Sequence, residues 1–66
     1  MEKENRRRLR YVKARIAQEM KFLDAVMSSS EDVTDKEFNS IREAHDSLAG
    51  ARDLIENVLL HTKWKP

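Results

Sequence analysis

Residues 28–38 read SSSEDVTDKEF, and this stretch contains the signals for one helix to end and another to begin. The three serines compete with the helix backbone for hydrogen bonds, which favours an irregular connection. Thr34 and Glu37 have the S/T-x-x-E spacing of a capping box, in which each side chain bonds to the other residue's backbone amide. The stretch therefore predicts a turn over residues 28–34 and a second helix that starts near residue 35.

The residues around the capping box support the same helix start. Val33 and Phe38 occupy the N′ and N4 positions, where two apolar side chains form a hydrophobic staple. Asp35 and Glu37 place negative charge at the positive end of the helix dipole. These signals are structural, and they carry no chemistry of their own.

Apolar residues at three- and four-residue steps predict a long helix on each side of the turn. In helix 1, expected over about residues 3–27, these are Leu9, Val12, Ile16, Met20, Leu23 and Met27. In helix 2, expected over about residues 35–61, these are Ile41, Ala44, Leu48, Ala51, Ile55, Val58 and Leu59. Two such helices joined by a short polar connection make an all-α fold, the antiparallel αα-hairpin. The tail, residues 62–66, contains Trp64 and is expected to be a frayed end, as termini often are.

A hairpin of this size has little core of its own. The chain has 66 residues, and so short a domain buries only about 60% of the surface that its unfolded form exposes. Small domains usually add disulfides, a metal or a partner subunit, and the absence of cysteine excludes disulfides and thiolate metal sites. We therefore expect the hairpin to assemble into a four-helix bundle or to dock on a helical partner.

The composition favours long helices in a soluble protein. Charged residues make up 38% of the chain and hydrophobic residues 39%, with one Gly and one Pro, so there are few residues for the turns of a sheet. No apolar run approaches the roughly 20 residues of a membrane span. The basic N-terminus is not followed by the apolar segment of a signal peptide. The expected location is the cytoplasm.

Charge is unevenly distributed along the chain. Residues 1–28 contain eight Lys/Arg and four Asp/Glu, a net +4, and residues 29–60 contain three and eight, a net −5. The tail adds +2, which gives the overall +1. A basic helix and an acidic helix would attract each other in an antiparallel pair. Exposed pairs contribute only about 0–1 kcal/mol each, so they set orientation more than stability.

Small residues in the middle of helix 2 indicate a possible binding surface. One flank of this helix, beside the apolar stripe, contains Ser47, Gly50, Ala51, Leu54, Val58 and His61. Glycine in a helix interior costs about 1 kcal/mol relative to alanine, and a dent of small residues lets another backbone approach closely. The flank is therefore a candidate partner-binding site; the alternative is a tolerated glycine on a solvated face.

A second row, on helix 1, combines aromatic and basic side chains. The flank that holds it contains Arg8, Tyr11, Arg15, Gln18, Glu19, Phe22 and Val26. The row itself consists of Arg8, Tyr11, Arg15, Gln18 and Phe22, beside the basic cluster NRRRLR at residues 5–10. Such residues can stack on bases and contact phosphates, which makes the row an alternative nucleic-acid face. In the favoured interpretation, the aromatics border the hairpin core and the arginines face acidic helix 2. The chain lacks the strong basic bias expected of nucleic-acid binders.

The sequence contains no arrangement typical of catalysis or of cofactor binding. His45 and His61 are 16 residues apart with no zinc-binding pattern, and His45 is expected at a helix edge. The neighbouring acidic residues Asp46, Asp53 and Glu56 would need a concave, partly dry pocket to act as paired carboxylates. The serines of the turn have no base beside them, and there is no glycine-rich phosphate loop. We expect a protein that is not an enzyme and that binds no cofactor or metal.

Helix 2 resembles a known family. The stretch FNSIREAHDSLAGARDLIENVL, residues 38–59, is similar to the second helix of the small E-type co-chaperones of type III secretion needle proteins. The similarity rests on Phe38, Ile41, Leu48, Ala51, Leu54, Ile55 and Val58. It covers about a third of the chain, and neither the NRRRLR cluster nor the KWKP tail is typical of that family.

The resemblance implies a function. Proteins of that family are helical hairpins that bind a helical-repeat chaperone and together with it keep the needle subunit soluble in the bacterial cytosol. The small-residue flank would then face the chaperone. Two alternatives remain: a hairpin that dimerises into an RNA-binding or transcription-regulating four-helix bundle, as the plasmid copy-number hairpin protein does, and a phage or plasmid regulator that binds a host protein. In a dimer, the small residues would allow two copies of helix 2 to pack closely.

Overall fold

The protein is a hairpin of two helices. The computed structural model describes residues 1–29 and 31–61; the expectations for Ser30 in the turn and for Trp64 in the tail lie outside the described residues. Helix α1 comprises Lys3–Met27 and helix α2 comprises Asp35–His61, with 25 and 27 residues. Both helices have the bounds that the sequence predicts, and no strand occurs within the described ranges.

Contacts along the interface show that the helices are antiparallel. Near the start of α1, the Arg6 guanidinium donates to the Leu59 carbonyl at 3.0 Å, near the end of α2. Near the turn, Asp24 Oδ1 lies 3.1 Å from His45 Nε2. Residues early in one helix therefore lie beside residues late in the other.

The turn is stabilised by the serines and by the capping box. The Ser28 and Ser29 hydroxyls donate to the carbonyls of Asp24 and Ala25 at 2.9 and 3.3 Å, in the last turn of α1, and the Ser28 amide also donates to the Asp24 carbonyl at 3.0 Å. At the start of α2, the amide of Glu37 donates to the Thr34 hydroxyl at 3.1 Å. The amide of Thr34 donates to the Glu37 carboxylate at 3.0 Å. The predicted capping box is thus present in full.

The helix–helix contact is narrow, and few side chains are fully covered. We define as the inward row Leu9, Lys13, Ile16, Met20, Leu23 and Met27 on α1, and Ile41, His45, Leu48, Arg52, Ile55 and Leu59 on α2. Met20 and Leu59, each 8% exposed, are the buried members; the others are half-buried. A core this small agrees with the marginal burial expected of the chain.

The inward row leaves out four residues of the predicted apolar stripes, Val12, Ala44, Ala51 and Val58. Val12, Ala44 and Val58 were expected to be covered by the opposite helix, but they are exposed. Lys13, His45 and Arg52 lie at the contact instead, because the aliphatic stems of Lys and Arg and the ring of His can pack against apolar surface while their polar ends reach water. One neighbouring helix covers only part of an apolar stripe, so part of each predicted stripe remains open.

His45 also lies differently from its predicted position. It was expected at a helix edge, but its side chain is only 22% exposed. Its Nδ1 atom lies 3.7 Å from Asp46 Oδ1, and its Nε2 atom faces Asp24 of the other helix. His45 is therefore part of the contact between the helices.

Candidate interaction face

Residues beside the inward row form a second row along each helix. Each of them immediately precedes an inward residue, so it is displaced from that residue by about 100° in the same rotational sense. On α1 they are Arg8, Val12, Arg15, Glu19, Phe22 and Val26; on α2 they are Ala44, Ser47, Ala51, Leu54 and Val58. All are exposed except Ala51, which is half-buried.

These two rows come together on one side of the hairpin. When each helix is viewed from its own N-terminus, the second row lies counterclockwise from the inward row. This holds for both helices. Because the helices run in opposite directions, those two sides coincide in one broad face of the molecule. We call this surface, made of the eleven residues just given, the open face.

The open face joins the two surfaces that the sequence presents as separate candidates. Ser47, Ala51, Leu54 and Val58 of the predicted partner-binding flank lie on its α2 side. Gly50 lies at the outer edge of α2, where an added Cβ atom would have nothing within 4 Å. The glycine therefore serves no contact within the hairpin.

Three residues of the aromatic and basic row, Arg8, Arg15 and Phe22, lie on the α1 side of the open face. Tyr11 and Gln18 lie at the outer edge of α1. The expectation that the aromatics border the core is wrong, since Tyr11 is 62% and Phe22 57% exposed. Helix α2 does not cover these side chains, because Phe22 lies beside the inward row of α1 and Tyr11 lies farther around the helix.

The arginines of this row contact their own helix and not acidic α2. The Arg8 guanidinium lies 3.9 Å from the Glu4 carboxylate and donates to the Asn5 side chain at 3.3 Å. Arg15 lies 4.0 Å from Glu19 and 6.0 Å from the centre of the Tyr11 ring. The expectation that these arginines face α2 is therefore wrong. These are exposed contacts, each of which contributes about 0–1 kcal/mol.

Chemically, the two sides of the open face are different. The α2 side contains only alanine, serine, leucine and valine, and so carries no charge. The α1 side has apolar Val12, Phe22 and Val26 interspersed with charged residues. Six of the eight large apolar side chains that are exposed in the described chain lie on this face or at its α1 edge.

The opposite face carries ion pairs and a basic groove. Lys13 pairs with Glu56 across the helices, and the Asp24–His45 contact lies on this side too. A groove of roughly 370 Å³ near the start of α1 and the end of α2 is lined by Arg6, Arg10, Lys13, Ala14, Ala17, Glu56, Leu59 and Leu60. Three of its four charged residues are basic, and the fourth, Glu56, pairs with Lys13.

The acidic residues considered in the sequence do not converge on a site. Glu56 pairs with Lys13, Asp53 lies 3.5 Å from Arg52, and Asp46 lies beside His45. Within residues 1–29 and 31–61, no group of three His, Cys, Asp or Glu side chains could hold a metal ion. Neither helix of the described chain is long and apolar enough to cross a membrane.

Two members of the open face, Val12 and Ala44, are absent from the candidate surfaces derived from the sequence. Both were assigned to the predicted apolar stripes, because spacing alone does not show which part of a stripe the neighbouring helix covers. Comparison of the chain with protein-family models, with curated proteins and with solved structures finds no match. The interpretation of the open face therefore depends on its geometry and chemistry.

Proposed function

We propose that this chain is a small, non-enzymatic protein-interaction module whose open face packs against a helical partner. The observation that carries the proposal is the exposure of apolar side chains on one side of both helices. Leu54 is 69% exposed, and Val12, Val26 and Val58 are exposed beside it or across from it. Contiguous apolar patches of this kind mark interaction sites in soluble proteins.

The small core supports the same proposal. With two buried side chains among the described residues, Met20 and Leu59, the hairpin gains little from its own packing. A helical partner would extend the packing from two helices to three or four and would bury the apolar residues that the hairpin leaves open. Domains of this size commonly obtain their stability in that way.

In its specific form, the proposal assigns the chain to the export of needle subunits. The chain would act in the bacterial cytosol as a co-chaperone that binds a helical-repeat chaperone and helps to keep a type III secretion needle subunit soluble. This form rests on the resemblance of α2 to the E-type co-chaperones. Three of the resembling residues, Ala51, Leu54 and Val58, lie on the open face, where they would meet the chaperone.

A capture experiment with matched variants tests the proposal. Tagged protein would be recovered from the native cell with and without nuclease, and bound proteins would be identified by mass spectrometry. The variant Leu54→Lys places a charge on the open face. Leu60→Lys is its control, because Leu60 is 66% exposed on the opposite face of the same helix. Circular dichroism would show that both variants remain helical.

We expect a stoichiometric helical protein that survives nuclease, is lost with Leu54→Lys and is retained with Leu60→Lys. A helical-repeat chaperone among the captured proteins would support the secretion form. Equal recovery by wild type and Leu54→Lys would contradict the use of the open face. Recovery of an unrelated helical partner would retain the module and reject the secretion form.

A second candidate function is nucleic-acid binding by the α1 side, and the exposure of Tyr11 and Phe22 favours it. Exposed aromatic rings can stack on bases while Arg8 and Arg15 contact phosphates. Affinity for RNA or DNA should then fall steeply with salt as counterions are released. The double variant Tyr11→Ala/Phe22→Ala should also bind more weakly. Absence of binding at low salt would eliminate this candidate.

A further inference from the structure

Both helices carry a heptad repeat that a single hairpin leaves half used. The a positions are Leu9, Ile16 and Leu23 on α1, and Ile41, Leu48 and Ile55 on α2. The d positions are Val12, Glu19 and Val26 on α1, and Ala44, Ala51 and Val58 on α2. Every a residue belongs to the inward row and is half-buried, whereas every d residue belongs to the open face. Helices of four-helix bundles bury both positions, so this pattern fits a bundle with two more helices.

We propose that a second copy of this chain covers the open face and completes an antiparallel four-helix bundle. The twofold axis lies in the plane of the contact between the two copies and runs perpendicular to the helices. Helix α1 then packs on α1 of the second copy, and α2 packs on α2. The inference rests on the proposed function in one respect, namely that the open face binds protein, and it assigns that face to a second copy in place of the chaperone.

The order of residues along each helix suits such an axis. Around a midpoint between Ala49 and Gly50, an antiparallel copy of α2 brings small residues opposite large ones. The resulting pairs are Ala44 with Ile55, Ala51 with Leu48, and Ile41 with Val58. Alternation of large and small side chains fills the space between helices without voids. It also explains the small residues of the flank, because alanine and serine let the two copies of α2 approach closely.

The same axis suits α1. Its heptad has a midpoint between Ala17 and Gln18, and reversal about that point pairs Leu9 with Val26, Val12 with Leu23, and Ile16 with Glu19. The contacts of Lys13 with Glu56 and of Met20 with Arg52 place the midpoints of α1 and α2 within about one helical turn of the same height along the hairpin. One axis can therefore serve both helices.

Charge determines which helix of the second copy faces α1. The α1 side of the open face contains Arg8, Arg15 and Glu19, whereas the α2 side contains no charged residue. If α1 met α2 of the second copy, these charges would have no partner there. If α1 meets α1, Arg15 comes within one residue of the level of Glu19 of the second copy, and the twofold axis repeats this pair. Arg8 comes near the last turn of the other α1, which has no basic residue of its own and whose dipole attracts a cation.

The size of the open face is sufficient for a stable dimer. Two helices of about 40 Å, lying side by side at about 10 Å, present a face of roughly 800 Å². A standard protein interface buries about 800 Å² on each partner. The face thus has the area that a specific dimer needs, with an uncharged α2 side and with charges in the middle of the α1 side.

A charge-reversal experiment tests the pairing. The full chain, at 7.8 kDa, would be examined by sedimentation over a range of concentrations, and wild type should approach twice that mass. Arg15→Glu places two acidic residues at the contact, and Glu19→Arg places two basic residues there. Each variant alone should dimerise about tenfold more weakly or worse, because like charges then meet across the axis. An equimolar mixture of the two variants should dimerise as well as wild type. In the mixed dimer, each contact between position 15 of one chain and position 19 of the other again joins an acidic and a basic residue.

The mixture separates this contact from the pair within one helix. The Arg15–Glu19 pair of each chain is lost in both variants and is not restored by mixing, so recovery in the mixture requires the contact between copies. Leu60→Lys should leave the wild-type dimer unchanged. A wild-type chain that stays at 7.8 kDa at all concentrations, or a mixture no better than its components, would overturn the inference. Failure of the dimer together with capture of a partner that Leu54→Lys abolishes would leave the proposed function standing.

Discussion

At the scale of single residues, the start of α2 depends on a carboxylate with a perturbed pKa. The backbone amide of Thr34 donates to Glu37, and this bond, with a smaller contribution from the Thr34 hydroxyl, holds the pKa of Glu37 below its ordinary value of 4.5. A carboxylate whose folded pKa is lowered stabilises the fold above the unfolded pKa. This stabilisation is lost as pH falls through the folded value.

The resulting prediction concerns stability at acid pH. Glutamine can also complete a capping box but does not ionise, so Glu37→Gln is the appropriate comparison. We expect wild type to be more stable than Glu37→Gln at neutral pH, and the difference to shrink as pH falls below 4.5. Urea denaturation of both proteins on either side of that pH measures it. A difference that does not change with pH would contradict a role for the Glu37 charge.

Gly50 offers a second prediction at this scale. Its backbone has no positive φ, and an added Cβ atom would meet nothing within 4 Å. Gly50→Ala should therefore raise the free energy of unfolding by about 1 kcal/mol, the ordinary difference in helix propensity. Chemical denaturation at a fixed protein concentration checks this. A loss of stability would mean that another backbone closely approaches Gly50 in solution.

At the scale of the elements, the contact between the helices depends on a few side chains. Met20 is 8% exposed, and its sulfur accepts a contact from the Arg52 guanidinium at 3.8 Å. Truncation of a buried methionine to alanine costs about 2–5 kcal/mol, and a domain of this length has only about 3–10 kcal/mol of stability. We expect Met20→Ala to lose much of its helical signal at room temperature.

Phe22→Ala is the control for this prediction. Phe22 lies two residues from Met20 on the same helix but is 57% exposed. In dilute solution, where the chain is a monomer, its truncation should have little effect on the helical signal measured by circular dichroism. Equal losses in both variants would indicate that helix propensity, and not the contact between α1 and α2, holds the elements together.

The helices could be predicted from the sequence, whereas the side of each helix that faces its neighbour could be predicted only in part. Thr34 and Glu37 define the start of α2 by local hydrogen bonds, which short-range sequence encodes directly. The apolar stripe, in contrast, contains both a and d residues, and spacing alone does not tell which of them the first neighbour covers. Lys13 and Arg52 lie at the contact because their stems are apolar, a property that a count of charged residues conceals.

The candidate sites were also only partly predictable. Ser47, Ala51, Leu54 and Val58 were identified on α2 as one flank, because helical periodicity within one element places them together. Their neighbours on α1 could not be joined to them without knowledge of the antiparallel contact. Tyr11 and Phe22 were assigned to the border of the core because the chain lacks the strong basic bias expected of nucleic-acid binders. In a two-helix layer, too little surface exists to cover them.

At the scale of the whole molecule, the two faces of the hairpin serve different purposes. The ion pair between Lys13 and Glu56 and the contact between Asp24 and His45 lie on one face and fix the alignment of the two helices. The open face is free of ion pairs between the helices in the described chain and presents the unused heptad positions. The polar face can thus hold the hairpin together while the apolar face remains available for assembly.

Glu19 is the one charged residue among the twelve a and d positions, which makes it the residue expected to select the orientation of the bundle. A polar group at one such position specifies register and orientation at a cost in stability. Glu19→Leu should therefore dimerise about tenfold more tightly, or better, because a buried leucine replaces a carboxylate. The same change should remove the preference of α1 for α1, since the Arg15 contact across the axis is lost.

Distances between labels would show both effects. A spin label on Lys3→Cys, near the start of α1, would lie about 40 Å from its copy when α1 packs antiparallel on α1. It would lie roughly 15 Å from its copy if α1 packed on α2. The Lys3→Cys protein with Glu19 intact should give the long distance alone, whereas Glu19→Leu should give both. A short distance while Glu19 is present would contradict the orientation inferred from the charges, and weaker dimerisation of Glu19→Leu would show that Glu19 strengthens the contact instead of only orienting it.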